Sequence, residues 1–115
     1  MLRIPRSGAV LARNPRVANS PLSRAVGVLG SPFRGYDALV IPRCRSVHTC
    51  FLGVPLDLLF VDGQGRVVRV VEAARPWRFI FGPRAARAVI ELPAGSLCGI
   101  AVAIGDPVEG LPPES

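Results

Sequence analysis

Residues 42–71 read PRCRSVHTCFLGVPLDLLFVDGQGRVVRVV and contain the strongest strand and turn signals of the chain. Two apolar runs, at 56–61 and 66–72, are separated by the tetrapeptide DGQG. An aspartate and two glycines between β-rich runs are typical of a β-hairpin, which we predict here. The first run is apolar on both faces except at Asp57, which indicates a central strand covered on each side.

Shorter strands are predicted on both sides of this hairpin. They are expected at 9–18, 38–41, 46–52, 78–81 and 88–92. The run at 9–18 is interrupted by Asn14-Pro15, and proline cannot donate a hydrogen bond to a neighbouring strand. Any strand there must therefore lie at a sheet edge or contain a bulge.

Two short helical segments and two flexible ends complete the predicted domain. A helix is predicted over 21–29, where a proline occupies the first helical position, and a single helical turn is expected at 94–98. Residues 1–8 carry no pattern and are expected to be flexible, as is the tail 110–115. The sequence therefore predicts one mainly β domain over 9–109, a small antiparallel sandwich or barrel-like fold with one or two short helices.

Length and composition limit the chain to one small domain. It has 115 residues, of which 50% are hydrophobic, with twelve glycines and twelve prolines. So many turn-forming residues favour short strands over long helices. No apolar run reaches the roughly 18 residues that span a bilayer, and the apolar patch near the N-terminus is too short for a signal peptide. We therefore expect no membrane span and a cytoplasmic location.

Arginine alone supplies the positive charge. The chain contains fourteen arginines and eight acids, for a net charge of +6. All the arginines lie in residues 1–87, whereas 88–115 hold four acids and no base. Such asymmetry is typical of a surface that binds a polyanion. The arginines are dispersed, however, and an all-arginine set also follows from genomic base composition, so nucleic acid is kept as an alternative partner.

The three cysteines do not form a recognisable site. Their odd number excludes complete disulfide pairing within one chain, and we expect Cys44, Cys50 and Cys98 to be reduced. Cys44, His48 and Cys50 could ligate a metal, but a fourth ligand and paired Cys-x-x-Cys spacing are missing. No metal and no cofactor are predicted.

Asp57 is the residue of the central run that needs a partner. A carboxylate carried into the core costs several kcal/mol unless it is paired or hydrogen-bonded. In one interpretation it accepts hydrogen bonds that pin a bend of the strand, with His48 as a polar neighbour. In the other interpretation it orients the imidazole so that a small anionic ligand can bind. The residues predicted to line that ligand pocket are His48, Thr49, Asp57, Arg43 and Arg45.

A nucleophilic triad is a weaker alternative for the same residues. Ser46 or Cys50, with His48 and Asp57, would supply the residue types of a nucleophile, a base and an orienting acid. However, residues two apart on a strand lie about 7 Å from each other, which is long for a nucleophile–base contact. No catalytic residue is therefore predicted. No phosphate-binding loop is present either, because the GQG at 63–65 is a turn.

The aromatic residues are expected to serve mainly in packing. Tyr36 and Trp77 are interpreted as packing at the rim of the core rather than as stacking platforms. Phe79 and Phe81 lie two residues apart, share one face of a strand and are expected in the core.

Several short motifs occur in an order that is found in one family. They are RAVGVLG at 24–30, CRSVHT at 44–49, PLD at 55–57 followed by LLFVD, ELPAG at 91–95 and GD at 105–106. Over about residues 9–109 the chain thereby resembles the bacterial and archaeal family known as domain of unknown function 192. It departs from the family's pattern at 50–53, which read CFLG without the usual basic residue. The resemblance implies a small mainly β sandwich or barrel-like fold, and this family has no settled biochemical function.

Together these observations favour a non-enzymatic β domain that binds a small molecule or a protein partner through a polar pocket around His48 and Asp57. A basic module that binds nucleic acid or another polyanion is the alternative. A hydrolase-like enzyme comes third.

Overall fold

The computed structural model describes residues 1–18, 35–48, 55–75 and 78–112, and of His48 the backbone alone. These residues form nine β-strands and no helix, so the mainly β fold class is confirmed. The strands are β1 Leu2–Ile4, β2 Ala9–Ala12, β3 Pro15–Val17, β4 Ala38–Pro42, β5 Ser46–His48, β6 Leu56–Val61, β7 Val67–Ala74, β8 Phe79–Phe81 and β9 Ala88–Pro93. None of the described sheets closes into a barrel.

A five-stranded sheet forms the centre of the domain, with strand order β3-β4-β9-β6-β7. Adjacent strands of this sheet run antiparallel, except β3 and β4, which run parallel. The edge position of β3 agrees with the interruption at Asn14-Pro15. β6 pairs with both β7 and β9, and all of its residues are buried. The predicted hairpin and the predicted central strand are therefore confirmed.

Local hydrogen bonds around Asp62 explain why the hairpin turns at DGQG. Oδ1 of Asp62 accepts from the backbone N–H groups of Gln64 and Arg66, each at 2.9 Å. Gly65 has a φ of 76°, a conformation that glycine adopts without steric cost. The turn is thus encoded by residues that are adjacent in the chain.

The central sheet separates two hydrophobic cores, because successive side chains of a strand point to opposite faces. Leu59 and Val61 of β6 belong to the first core, where β1 and β2 cover the sheet. Phe60 belongs to the second core, which the β5–β8 pair covers through Val47 and Ile80. The domain is therefore layered, with a two-stranded sheet on each face of the central one.

The N-terminal segment differs from its prediction. Residues 1–8 are predicted to be flexible, but Leu2 and Ile4 are fully buried in the first core. The backbone groups of Arg3 and Glu109 exchange two hydrogen bonds, which hold β1 against the C-terminal segment. Three residues are too few to show a period in the sequence. Besides the nearby strand β2, the partner of β1 is Glu109, more than a hundred positions away.

Phe79 and Phe81, predicted to lie in the core, are instead 70% and 64% exposed. Ile80 between them is buried in the second core and lies opposite Val47 of β5. Since a three-residue strand alternates its side chains, burying Ile80 turns both phenylalanines outward. The shared face of the two rings is predicted correctly, and their burial is wrong.

The helical turn predicted at 94–98 is also wrong. The N–H groups of Ser96, Cys98 and Ile100 each bond to the carbonyl three residues earlier, which makes this segment a series of tight turns. The helix predicted over 21–29 lies outside the described residues. Within the described part of the chain, no helix is long and apolar enough to cross a membrane.

Gly82 fixes the end of β8 against the central sheet, and we expect Gly82→Ala to be destabilising. A Cβ atom at this position would lie 2.5 Å from Cδ1 of Phe60 and 2.8 Å from Cβ of Ala86. Overpacking of this kind costs about 1–3 kcal/mol of unfolding free energy, measurable by urea denaturation. Phe60→Leu should make room, so the double variant should lose less stability than the sum of the single ones. Strictly additive losses would contradict the contact.

Candidate functional site

The carboxylate of Asp57 is held entirely by backbone amides. Its side chain is buried, with the residue 1% exposed. Oδ1 accepts from the N–H of Ala73 at 2.8 Å, and Oδ2 accepts from the N–H of Leu97 at 2.9 Å. The β6–β7 register shifts at this point, and Ala73 has a φ of 52°. Asp57 therefore replaces the missing strand-to-strand bonds at a β-bulge and ties that bulge to the turns after β9.

The Asp57 carboxylate and strand β5 lie on opposite faces of the central sheet. Asp57 pairs with Leu92 of β9, and its carboxylate binds the amide of Leu97; both leucines belong to the first core. β5 packs through Val47 into the second core. The structure therefore does not bring the Asp57 carboxylate to the strand that carries His48.

The remaining residues of the predicted ligand pocket divide into two groups. The side chain of His48 and all of Thr49 lie outside the described residues, so their role stays a prediction. Arg43 and Arg45 follow β4 and are both exposed. They lie beside Arg87, which the sequence did not single out.

A cavity of about 310 Å³ opens near the hairpin turn, where β4 and β6 end and β9 begins. Its apolar wall is formed by Val40, Pro42, Val61, Ala88, Val108, Leu111 and Pro112. Its polar wall includes Arg43, Arg87, Asp62 and Gln64. Part of the apolar wall belongs to the segment 110–112, which the sequence assigns to a flexible tail. A shallower depression lined by Arg43, Cys44, Arg45, Ala86 and Arg87 adjoins it.

Only some of the hydrogen-bonding groups of Arg87 in this cavity have partners among the described residues. Nη1 of Arg87 donates to the carbonyls of Arg84 and Ala86, at 2.9 and 3.0 Å. Among the described residues, no partner accepts from its Nε or Nη2. Asp62 is the one acid among the lining residues, and its Oδ1 already accepts two backbone N–H groups. The cavity therefore carries a surplus of positive charge.

Two further carboxyl groups, those of Asp106 and Glu91, are buried, and they differ in their hydrogen bonding. Nε and Nη2 of Arg6 donate to the two oxygens of Asp106, at 2.6 and 2.9 Å. These bonds, with a third from the N–H of Ala103, lower the pKa of Asp106 to about 2. Glu91 on β9 is 2% exposed, and its Oε2 has no hydrogen-bond partner among the described residues. Burial raises the pKa of Glu91 to about 7.

Arg87 and Glu91 are not predicted from the sequence, for different reasons. Arg87 is one of several arginines in an irregular segment, and nothing local to it indicates that it meets Arg43. Glu91 is a single acid inside the apolar strand AVIEL, which is the same signal that singled out Asp57. That signal was available for Glu91.

No metal-ligating cluster is present in the described ranges. A group of three or more histidine, cysteine or acidic side chains that could hold an ion does not occur there. Cys44 and Cys98 carry free thiols, and Cys50 lies outside the described residues.

Family comparison agrees with the motifs and the fold. The model of the family described as "Uncharacterized ACR, COG1430", domain of unknown function 192, matches residues 4–110. The chain belongs to the domain of unknown function 192 family. A curated relative, the UPF0127 protein PF1050 of Pyrococcus furiosus, is 33% identical over 98 residues, which cover 82% of this chain and 84% of the relative.

Two solved structures share the fold of this member of the domain of unknown function 192 family. A protein of unknown function from Novosphingobium aromaticivorans has a TM-score of 0.70 at 20% identity, covering 84% of this chain and 74% of its own. A protein named "putative transcription regulator" from Sinorhizobium meliloti has a TM-score of 0.70 at 25% identity, covering 84% and 80%.

We expect Asp57→Asn to lower the unfolding free energy by about 1–3 kcal/mol, because an asparagine side chain has one acceptor oxygen where Asp57 uses two. One of the amides of Ala73 and Leu97 then loses its acceptor. Asp62→Asn is the matched control, since Asp62 uses only Oδ1 for both of its bonds. Urea denaturation should show a loss for the first variant alone. Equal midpoints for Asp57→Asn and the parent protein would contradict the role given to Asp57.

We expect the unfolding free energy to fall as the pH rises from about 4.5 to 7, because folded Glu91 retains its proton over this window. The folded pKa lies above the unfolded one, so the contribution is complete below pH 4.5 and is lost through pH 7. Its size is roughly 3 kcal/mol. Glu91→Gln should remove this component from the pH profile of denaturation. Glu109→Gln, at an exposed carboxyl, should not; a Glu91→Gln profile parallel to the parent's would refute the assignment.

Proposed function

We propose that this domain is a non-enzymatic module that binds a small organic anion in the cavity between the hairpin turn and the ends of β4, β6 and β9. The observation that supports this most directly is that Arg43 and Arg87 both line that cavity. An arginine binds a carboxylate or a phosphate through two parallel hydrogen bonds. A site with two such residues favours an anion.

The apolar wall of the cavity narrows the class of ligand. Val61, Val108 and Leu111 also line the cavity and would contact a hydrocarbon part of the ligand. Pockets for small molecules commonly combine apolar walls with a few polar groups that fix orientation. A volume of about 310 Å³ suits a compact ligand. The expected ligand therefore has one carboxylate or phosphate group on a small apolar body.

The backbone of Arg43 supports a binding role for its side chain. Arg43 has a φ of 52°, in the left-handed region that costs a non-glycine residue roughly 1 kcal/mol or more. Glycine would remove this strain at no steric cost. Because glycine would suit this backbone conformation better, the presence of an arginine here supports a role for its side chain.

This proposal retains part of the site predicted from the sequence. Arg43 and Arg45 belong to that prediction, and Arg87 is added to them. The participation of His48 and Thr49 is a separate proposal that no contact of the described residues supports or opposes. The hydrolase alternative is less favoured, since the Asp57 carboxylate already accepts two backbone amides on the face opposite β5.

Binding of nucleic acid or another polyanion is the second candidate. The net charge of +6 favours it, and so does the name "putative transcription regulator" of the Sinorhizobium meliloti structure. The cavity itself is too small for a polymer, so this candidate requires a different surface.

We expect Arg43→Gly to weaken binding of phenyl phosphate and benzoate about 10- to 100-fold, because a charge-assisted hydrogen bond contributes roughly 1.5–3 kcal/mol. Isothermal titration calorimetry measures the affinities. The neutral analogue benzamide should bind the parent protein at least about tenfold more weakly than benzoate, for the same reason.

Ala73→Gly is the matched control for Arg43→Gly. Ala73 has the same φ of 52° but does not line the cavity, so the two variants change the backbone alike. Ala73→Gly should leave the affinity for both anions unchanged. Failure of the parent protein to bind either anion, or equal affinities for benzoate in Arg43→Gly and the parent, would contradict the proposed site.

A further inference from the structure

The shallow depression beside the proposed anion cavity has a volume of about 380 Å³ and contains three arginines. Its lining residues are Arg43, Cys44, Arg45, Ala86 and Arg87, and none of them is an acid. Arg43 and Arg87 line the cavity as well, whereas Arg45 lines the depression alone. The two spaces therefore meet at Arg43 and Arg87, and the depression adds a third positive charge.

Backbone hydrogen bonds hold the segments that carry these arginines in place. The N–H of Cys44 donates to the carbonyl of Arg87 at 3.0 Å, and the N–H of Gly82 donates to the carbonyl of Arg45 at 2.7 Å. The thiol of Cys44 donates to the carbonyl of Ser46 at 2.9 Å. The backbone around the depression is thus ordered before any ligand binds, which lowers the entropy cost of binding.

No acid among the lining residues offsets the positive charge of the depression. Within the described part of the chain, neither Arg45 nor Arg87 forms an ion pair. The hydrogen bonds from Nη1 of Arg87 go to backbone carbonyls, which leave its charge unneutralised. Like charges held close together repel one another, and a bound anion relieves this repulsion. The depression is therefore suited to an anionic group.

We propose that the ligand of this domain carries two anionic groups at one end of a small apolar body, an inference that rests on the anion cavity proposed above. One anionic group binds Arg43 and Arg87, and the apolar body contacts the apolar wall of the cavity. The second anionic group lies in the depression and binds Arg45. Arg45 thereby distinguishes a dianionic ligand from a monoanionic one.

The lining of the depression determines what kind of group it can hold. Among the described residues that line it, Ala86 is the only aliphatic one, so a hydrocarbon group would gain little by binding there. A carboxylate or a phosphate would gain more, because a guanidinium binds either group through two parallel hydrogen bonds. The expected ligand class is therefore a small dicarboxylate, or a molecule that bears one carboxylate and one phosphate.

Isothermal titration calorimetry of the full chain with benzoate and the three benzenedicarboxylates tests the proposal. At neutral pH, phthalate or isophthalate should bind at least about tenfold more tightly than benzoate, because the second carboxylate adds charge-assisted hydrogen bonds. Terephthalate carries its second carboxylate at the far end of the ring. It should bind no more tightly than benzoate, because that carboxylate would enter the apolar part of the cavity.

Arg45→Gln should reduce the ratio of the phthalate or isophthalate affinity to the benzoate affinity to about one, since it removes the partner of the second carboxylate. Arg84→Gln is the matched control, because Arg84 is an exposed arginine of the neighbouring segment that does not line the depression. It should keep the ratio of the parent protein. Both variants replace exposed side chains, so the thermal unfolding midpoint should stay unchanged.

The outcomes separate this inference from the proposed cavity. Binding of benzoate without a gain for phthalate or isophthalate would overturn the dianionic ligand and leave the cavity in place. An equal gain for terephthalate would also overturn it, because attraction by the net charge would then explain the gain. A parent-like ratio in Arg45→Gln would do the same. Failure of all four probes to bind would contradict the cavity and the dianionic ligand together. The comparison of the three isomers needs the parent protein alone, so it decides the matter even where a variant fails to fold.

Discussion

The hydrogen bonds from the amides of Ala73 and Leu97 to the carboxylate of Asp57 hold the architecture together. An unpaired carboxylate on a fully buried strand would cost several kcal/mol, so β6 can occupy the centre of the sheet only if donors reach it. The donors come from a bulge of β7 and from the turns after β9. One side chain thereby connects three segments that are distant in sequence.

This arrangement makes the two ends of β6 chemically different. At the Asp57 end, both oxygens of the carboxylate accept hydrogen bonds from backbone amides, so this buried group stabilises the fold. At the Val61 end, the hairpin turn, Arg43 and Arg87 surround an open cavity. Nε and Nη2 of Arg87 have no acceptor among the described residues there.

The parts of the fold that the sequence predicted are those with local causes. The DGQG turn and the apolar run of β6 are encoded by neighbouring residues, and so is the conflict created by Asp57. What was missed depends on distant partners: β1 is held against the C-terminal segment by Glu109, and the orientation of β8 is set by Val47 opposite Ile80. Three-residue strands carry too little periodicity to reveal which face is buried.

The same difference between local causes and distant partners applies to the candidate site. A buried acid was recognised at Asp57, but its partners are backbone amides, which carry no sequence signature. From the sequence, Arg43 is a possible partner of Asp57, whereas its contribution to a cavity depends on Arg87, more than forty residues away. Side chains that meet through tertiary structure cannot be paired from one sequence without a periodic pattern or a motif that links them.

Amide chemical-shift mapping of the ¹⁵N-labelled protein with phenyl phosphate distinguishes the two ends of β6. We expect the largest shifts at Gly63, Gly65 and Ala88 around the cavity, while the amides of Ala73 and Leu97 stay unchanged. Largest shifts at Ala73 and Leu97 would instead place recognition at the Asp57 carboxylate and contradict the division between a structural end and a binding end of β6.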